Sequence, residues 1–156
     1  MDFISPTKGK MTFDQMMADI MKYITGLPDS SYKIIIGTDS QVRKDTCFVT
    51  AVIVHRLGKG AKYYYRKKEE RKIKSLRQKI FFETALSLEV GGLVARYLSE
   101  TGHEDQEVEI HIDVGKKGET KDLIREVVGM VLGSGFQPKI KPDAFGASSV
   151  ADKHSK

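Results

Sequence analysis

Cysteine is nearly missing from this chain: Cys47 stands alone among 156 residues. An internal disulfide and every cysteine-based zinc cluster are thereby excluded, and the usage points to a reducing, cytoplasmic setting. Long apolar runs are missing too. None approaches the ~18 residues of a membrane-spanning helix, so no membrane partner is expected. The opening Met1-Asp2-Phe3-Ile4-Ser5-Pro6 has no basic start leading into an apolar stretch and does not read as a secretory signal. There is no internal repeat, low-complexity tract or flexible linker. What is present is a globular balance, 40% hydrophobic and 30% charged, at a length suited to a single domain over 1–156.

The net charge of +5 is unevenly placed. Arg66, Lys67, Lys68, Arg71, Lys72, Lys74, Arg77 and Lys79 face only Glu69 and Glu70, so this stretch alone carries +6 and the remainder is close to neutral. A local basic band suits a phosphate backbone, because each neutralised phosphate releases condensed counterions. A solvated helix face is the ordinary alternative for such a run.

Thr12-Phe13-Asp14-Gln15 has the form of a capping box and predicts a helix over about 12–26, with Phe13, Met16, Met17, Ile20, Met21 and Ile24 as its apolar stripe. Gly26 and Pro28 end it. Tyr32 to Ser40 contains Ile34-Ile35-Ile36, the mark of a strand buried on both faces. Cys47 to Leu57 and Ala61 to Arg66 read as two further strands, joined by the glycine-bearing Gly58-Lys59-Gly60. Ser75 caps a long helix from Leu76 to about Ser99, in which Gly91-Gly92 implies close backbone packing. A strand over Glu107–Val114, a helix over Thr120–Leu132, a short strand over Gln137–Lys141 and a last helix from about Ala147 complete the chain. This order predicts an α/β fold. Its sheet is mixed and five-stranded, three antiparallel strands then two parallel, with helices on both faces and the N-terminal helix added to the core.

Asp39 ends the most buried strand, and Asp113 lies near the end of the second Ile/Val-rich strand. If those strands are parallel neighbours, both carboxylates emerge at the carboxyl edge of the sheet, where open α/β sheets bind ligands. A single strand-end Asp is commonly a turn former; two side by side repel, and a hard divalent cation relieves that repulsion.

The run Ile36-Gly37-Thr38-Asp39-Ser40-Gln41 and the tail from Pro142-Asp143-Ala144-Phe145 to Val150-Ala151-Asp152-Lys153-His154 resemble an uncharacterised bacterial RNase H-like family, as do Ser5-Pro6-Thr7 and Met11-Thr12-Phe13. The resemblance runs nearly end to end and implies an RNase H-like fold. It also implies four acids in a divalent-metal site: Asp39, a Glu on the long helix, Asp113, and an acid near the last helix. Glu83, nearer the helix start, is preferred for the second place, with Glu89 as competitor; six residues apart on a helix, they point to different faces. Asp152 is preferred for the fourth, with Asp143 as competitor. Related nucleases often carry a mobile His where Asp143 stands, and His154 reads as structural rather than as its substitute.

Such a site implies two-metal phosphodiester hydrolysis with Mg²⁺, and Mn²⁺ as surrogate, on RNA, DNA or a hybrid. Arg66, Lys67, Lys68, Arg71, Lys72, Lys74, Lys116 and Lys117 are the expected nucleic-acid contacts, with Lys121 a further one. Tyr63, Tyr64 and Tyr65 are either stacking groups or ordinary strand packing. The alternative is an RNase H-like nucleic-acid-binding module with weak or no turnover. A nucleotide-hydrolysing role is disfavoured, since no Walker-type loop is present and Gly115-Lys116-Lys117-Gly118 is only a glycine-bounded turn.

Overall fold

The computed structural model describes residues 1–115, 121–141, 150, 153 and 154. In chain order its elements are β1 (Asp2–Ser5), β2 (Gly9–Thr12), α1 (Phe13–Gly26), β3 (Tyr32–Val42), β4 (Thr46–Arg56), β5 (Ala61–Glu70), α2 (Leu76–Glu100), β6 (Val108–His111), a 3-10 turn (Lys121–Leu123), α3 (Ile124–Gly133) and β7 (Gln137–Lys139). All seven strands join one sheet in the order β2-β1-β5-β4-β3-β6-β7.

The five strands from β3 to β7 follow the expected plan. β3, β4 and β5 pair antiparallel in succession, whereas β6 and β7 pair parallel on the other side of β3. The isoleucine-rich β3 is therefore central, as its lack of a polar alternation requires. The expectation of five strands is corrected to seven. Phe3 faces Met11 in a short antiparallel hairpin, and Ile4 meets Tyr65 to add that hairpin beyond β5. Each arm is only four residues long, too short for a period-2 pattern to stand out. Its turn ends at Gly9, with φ of +77°, a conformation that glycine adopts without steric cost.

Several boundaries move: β3 runs on to Val42, β7 stops at Lys139, and α3 starts at Ile124 after a 3-10 turn. β5 continues to Glu70, so Arg66, Lys67 and Lys68 belong to a strand, and only residues 71–75 form the expected link to α2. β6 is shorter than expected, although Ile112 N still donates to Lys139 O and Lys141 N to Val114 O at 2.9 Å each.

Side-chain caps hold α1 and α2 where the sequence places them. Gln15 N donates to Thr12 Oγ1 at 3.1 Å, and Thr12 N donates to Gln15 Oε1 at 2.8 Å. Ser75 accepts from Gln78 N. Met16, Met17 and Ile20 of α1, Ile80, Val90 and Val94 of α2, and Val127 and Val131 of α3 share one core with Ile34, Ile36, Val52 and Tyr64. On the opposite face Ile35, Ile53 and Tyr63 meet Val150. Close packing at the glycine pair is confined to Gly91, where a Cβ would lie 3.2 Å from Ile110 Cδ1; Gly92 is open. Among the described residues no helix is long and apolar enough to cross a membrane.

Candidate carboxylate site

Alternation along β3 sends Thr38 and Ser40 toward α2 and Asp39 to the opposite face. Thr38 Oγ1 shares hydrogen bonds with Ser87 at 2.7 Å and Thr50 at 3.0 Å, which ties β3 to β4 and to the middle of α2. One helical turn earlier, Ser40 Oγ donates to Glu83 Oε2 at 2.5 Å. Ser40 also donates its amide to Asp39 Oδ1 at 2.9 Å. A single serine thus links Asp39 to the helical glutamate; β3 runs on to Val42, so Asp39 lies within the strand rather than at its expected end.

Glu83 is only 6% exposed. Burial pushes its carboxyl up, the Ser40 hydroxyl and Lys79 lower it, and the charges of Asp39 and Asp113 raise it again, to about 8. At neutral pH without a cation it is mainly protonated. The competing Glu89 is 49% exposed and faces Arg66 at 3.7 Å.

Asp113 follows β6, and its Oδ1 receives Lys141 Nζ at 2.6 Å. The hydrogen bond to Asp113 raises the Lys141 pKa, burial lowers it, and the charges of Asp113, Asp39 and Glu83 raise it further. The structure therefore gathers Asp39, Glu83, Asp113 and Lys141 at the carboxyl edge where β3 and β6 run parallel. Asp143, Asp152, Lys116 and Lys117 lie outside the described residues.

The donor chemistry suits a hard cation: three all-oxygen ligand side chains, one of them buried and kept neutral partly by the other two. Among the described residues no group of three His, Cys, Asp or Glu is arranged to hold a metal ion. Asp39, Glu83 and Asp113 are thus neighbouring carboxylates that do not by themselves form such a group, with an ammonium beside Asp113.

The basic residues divide by register. Lys67 shares a cross-strand row with Val49 and Asp39, and so lies on the Asp39 face. Lys68 aligns with Phe48 and Ser40 on the α2 face, where its ammonium is 3.7 Å from Glu70. Arg66 is engaged with Glu89, while Arg71, Lys72 and Lys74 are exposed on the link into α2. Of the tyrosines, Tyr64 is only 1% exposed and lies in the core, so it offers no stacking surface; Tyr63 and Tyr65 take the other face.

Sequence reasoning missed Ser40 as the partner of Glu83, although its place next to Asp39 is a local signal. Lys141 carried no such signal, because its approach to Asp113 depends on the pairing of β7 with β6. Also unforeseen is the buried pair of Glu109 and His111, 3.2 Å apart, with Lys33 3.3 Å from Glu109.

A protein-family model described as Ribonuclease H-like matches residues 15–156. An uncharacterized protein of Bacillus subtilis (strain 168), YkuK, is 40% identical over 166 aligned residues, which cover 99% of this chain and 96% of that protein. No solved structure matches the chain significantly.

Proposed function

The chain belongs to the ribonuclease H-like family, and from that premise we propose that it is a divalent-metal-dependent nuclease. Fold alone does not carry this reading, because function resides in the site. The observation that carries it is Glu83, a buried acid raised to about 8 with two further carboxylates contributing to the shift. An acid so perturbed by burial and named charge partners is a candidate functional group.

Asp39, Glu83 and Asp113 would hold Mg²⁺, or Mn²⁺ in its place, completed by Asp152 or Asp143. When bound, such ions supply an activated water and charge stabilisation at the leaving oxygen. The chain's own groups then have distinct tasks. Ser40 orients the Glu83 carboxyl and Asp39 together. Lys67 on the Asp39 face, with Arg71, Lys72 and Lys74 on the neighbouring link, meets backbone phosphates, and Arg66, Lys68, Lys116 and Lys117 extend the same electrostatic field.

A second reading, a nucleic-acid-binding module without turnover, draws support from the ammonium of Lys141 against Asp113. The two readings part in one assay. Labelled hybrid, double-stranded and single-stranded substrates are incubated with Mg²⁺ or Mn²⁺, using wild type and Asp39→Asn. Metal-dependent cutting that disappears in the variant supports the nuclease. Salt-sensitive binding by both proteins with no cutting supports the binding module.

A further inference from the structure

A second polar cluster lies on the Asp39 face of the sheet, built from other residues. Lys33, Ile35 and Gly37 share that face of β3 by alternation, and Ile35 aligns with Glu109 and Gly37 with His111 on β6. Lys33 Nζ lies 3.3 Å from Glu109 Oε2, and Glu109 Oε1 lies 3.2 Å from His111 Nε2. The Glu109 and His111 side chains are only 5% and 6% exposed. Burial raises the Glu109 carboxyl, but its contacts with His111 and Lys33 outweigh that and hold it below the ordinary carboxylate value. An ionised carboxylate only accepts, so Nε2 carries the proton of the His111–Glu109 hydrogen bond. Burial disfavours a charged ring, which leaves a bare lone pair on the other nitrogen. Among the described residues that atom, His111 Nδ1, is buried without a hydrogen-bond partner. A buried acceptor with no donor keeps its full desolvation penalty.

The same three residues line a cavity of about 420 Å³, a volume typical of small-molecule sites. Ile35, Ile53, Tyr63 and Val150 supply its apolar walls. Tyr65 stands on the row between Tyr63 and the Lys67–Asp39 row, and His154 stacks on it with centroids 3.9 Å apart. His154 therefore lies between the cavity and the Asp39 row. Charge narrows the ligand class. Glu109 offsets Lys33 and the His111 ring is neutral, so these groups favour an uncharged head over a phosphate or carboxylate. They offer one acceptor, His111 Nδ1, and one donor, the Lys33 ammonium, which has hydrogens beyond the one that Glu109 takes. A ring with an N–H beside a carbonyl or ring nitrogen answers that pattern, and its apolar faces suit the walls. Nucleobases have this edge, and an unstacked base is held in just such a way, by its edge and by apolar side chains.

We propose that this cavity is a nucleobase-binding site, in which the base donates an N–H to His111 Nδ1, accepts from Lys33 and packs against Ile35, Ile53 and Val150. A free nucleoside and an unstacked base of a single strand present the same chemistry. None of these residues belongs to the carboxylate site, so the two sites stand or fall separately.

The test is ¹H–¹⁵N NMR titration of the full chain in chelator, with uridine, 3-methyluridine, adenosine and a short single-stranded oligonucleotide as probes. Wild type, His111→Phe and Ala61→Phe are compared. Saturable shifts are expected at the amides of Lys33, Glu109 and His111. 3-Methyluridine lacks the N–H and should bind about 2- to 10-fold more weakly than uridine, the usual worth of one hydrogen bond. His111→Phe should weaken uridine by a similar factor and cost 3-methyluridine nothing further. Ala61 lines the cavity yet is exposed, so Phe there fills the space without entering the core and should abolish binding at an unchanged melting temperature. Oligonucleotide shifts without nucleoside shifts, lost in Ala61→Phe, would assign the site to bases of a strand; the reverse would assign it to free nucleosides. No shift from any probe, or affinities that neither substitution changes, would overturn the proposal and leave the metal-site reading untouched.

Discussion

Two buried carboxylates border the same core, and their environments drive them in opposite directions. Asp19 on α1 is 8% exposed and Glu83 on α2 is 6% exposed. Burial pushes Asp19 up, but hydrogen bonds from Lys8 and Tyr64 and the charges of Lys62 and Lys8 outweigh it and hold the acid below its ordinary 3.8. Lys8 Nζ lies 2.5 Å from Asp19 and Lys62 Nζ 3.6 Å, while the Tyr64 hydroxyl donates to its other oxygen. Glu83 has one hydroxyl donor and two acidic neighbours, and its pKa climbs to about 8. Burial alone does not separate a structural acid from a functional one; the sign of the surrounding charge does. Asp19 locks the N-terminal hairpin and α1 onto β5, and its charge is satisfied by this chain. Among the described residues no cationic side chain forms an ion pair with Glu83, and Lys79 acts on it only at longer range.

The largest expected contrast lies in activity. Glu83→Gln lowers metal-dependent cleavage by more than about 100-fold, beyond the usual loss for an outer support, whereas Asp19→Asn leaves the cleavage rate of folded protein nearly unchanged. Initial rates on labelled substrate measure both, and equal losses would erase the distinction. Stability should show the reverse. Asp19→Ala leaves the Tyr64 hydroxyl buried without its acceptor and costs about 1–3 kcal/mol in urea unfolding. Glu83→Gln removes an acid that the fold disfavours when ionised, so it is neutral or stabilising at pH 8 in chelator.

The pH dependence sharpens the same comparison. The folded value of Glu83 lies above its ordinary 4.5. Its stabilising contribution is therefore fully present below about 4.5 and is lost as pH rises from there through about 8. Asp19 lies below its ordinary value, so its contribution is present above 3.8 and is lost as pH falls through its folded value. In chelator, melting temperature should fall between pH 5 and 8 for wild type and fall less for Glu83→Gln. A wild-type profile that rises across that window would contradict the assignment. The smallest effect is expected at Lys141: Lys141→Met removes the ammonium that competes at Asp113 and raises Mg²⁺ affinity a few-fold in titration. A fall in affinity would make Lys141 a support of the site rather than its metal-free counter-charge.

Much of this arrangement is legible in local sequence. Ile34-Ile35-Ile36 marks the central strand, Thr12 and Ser75 mark helix starts, and Asp39 on β3 and Asp113 just after β6 are brought together by the parallel pairing of those strands. Six residues of helical rotation separate Glu83 from Glu89, and the structure puts the first in the interior and the second at half exposure. The features that escaped are non-local. The β1–β2 hairpin has arms too short to carry a period, and β5 runs on through a basic stretch because β4 offers it a partner as far as Thr46. Lys141 reaches Asp113 only through β7 pairing, and His154 reaches Tyr65 across 89 residues of chain. Such partners are set by the closure of the sheet, for which no short window of sequence holds the information.

The most direct test of the central claim is to count protons released when Mn²⁺ binds at pH 7, by calorimetry in buffers of different ionisation enthalpy. A metal that takes Glu83 as ligand must displace its proton, so wild type should release about one proton per site and Glu83→Gln almost none. Binding without proton release, or equal release from both proteins, would contradict the assignment of Glu83 to the metal.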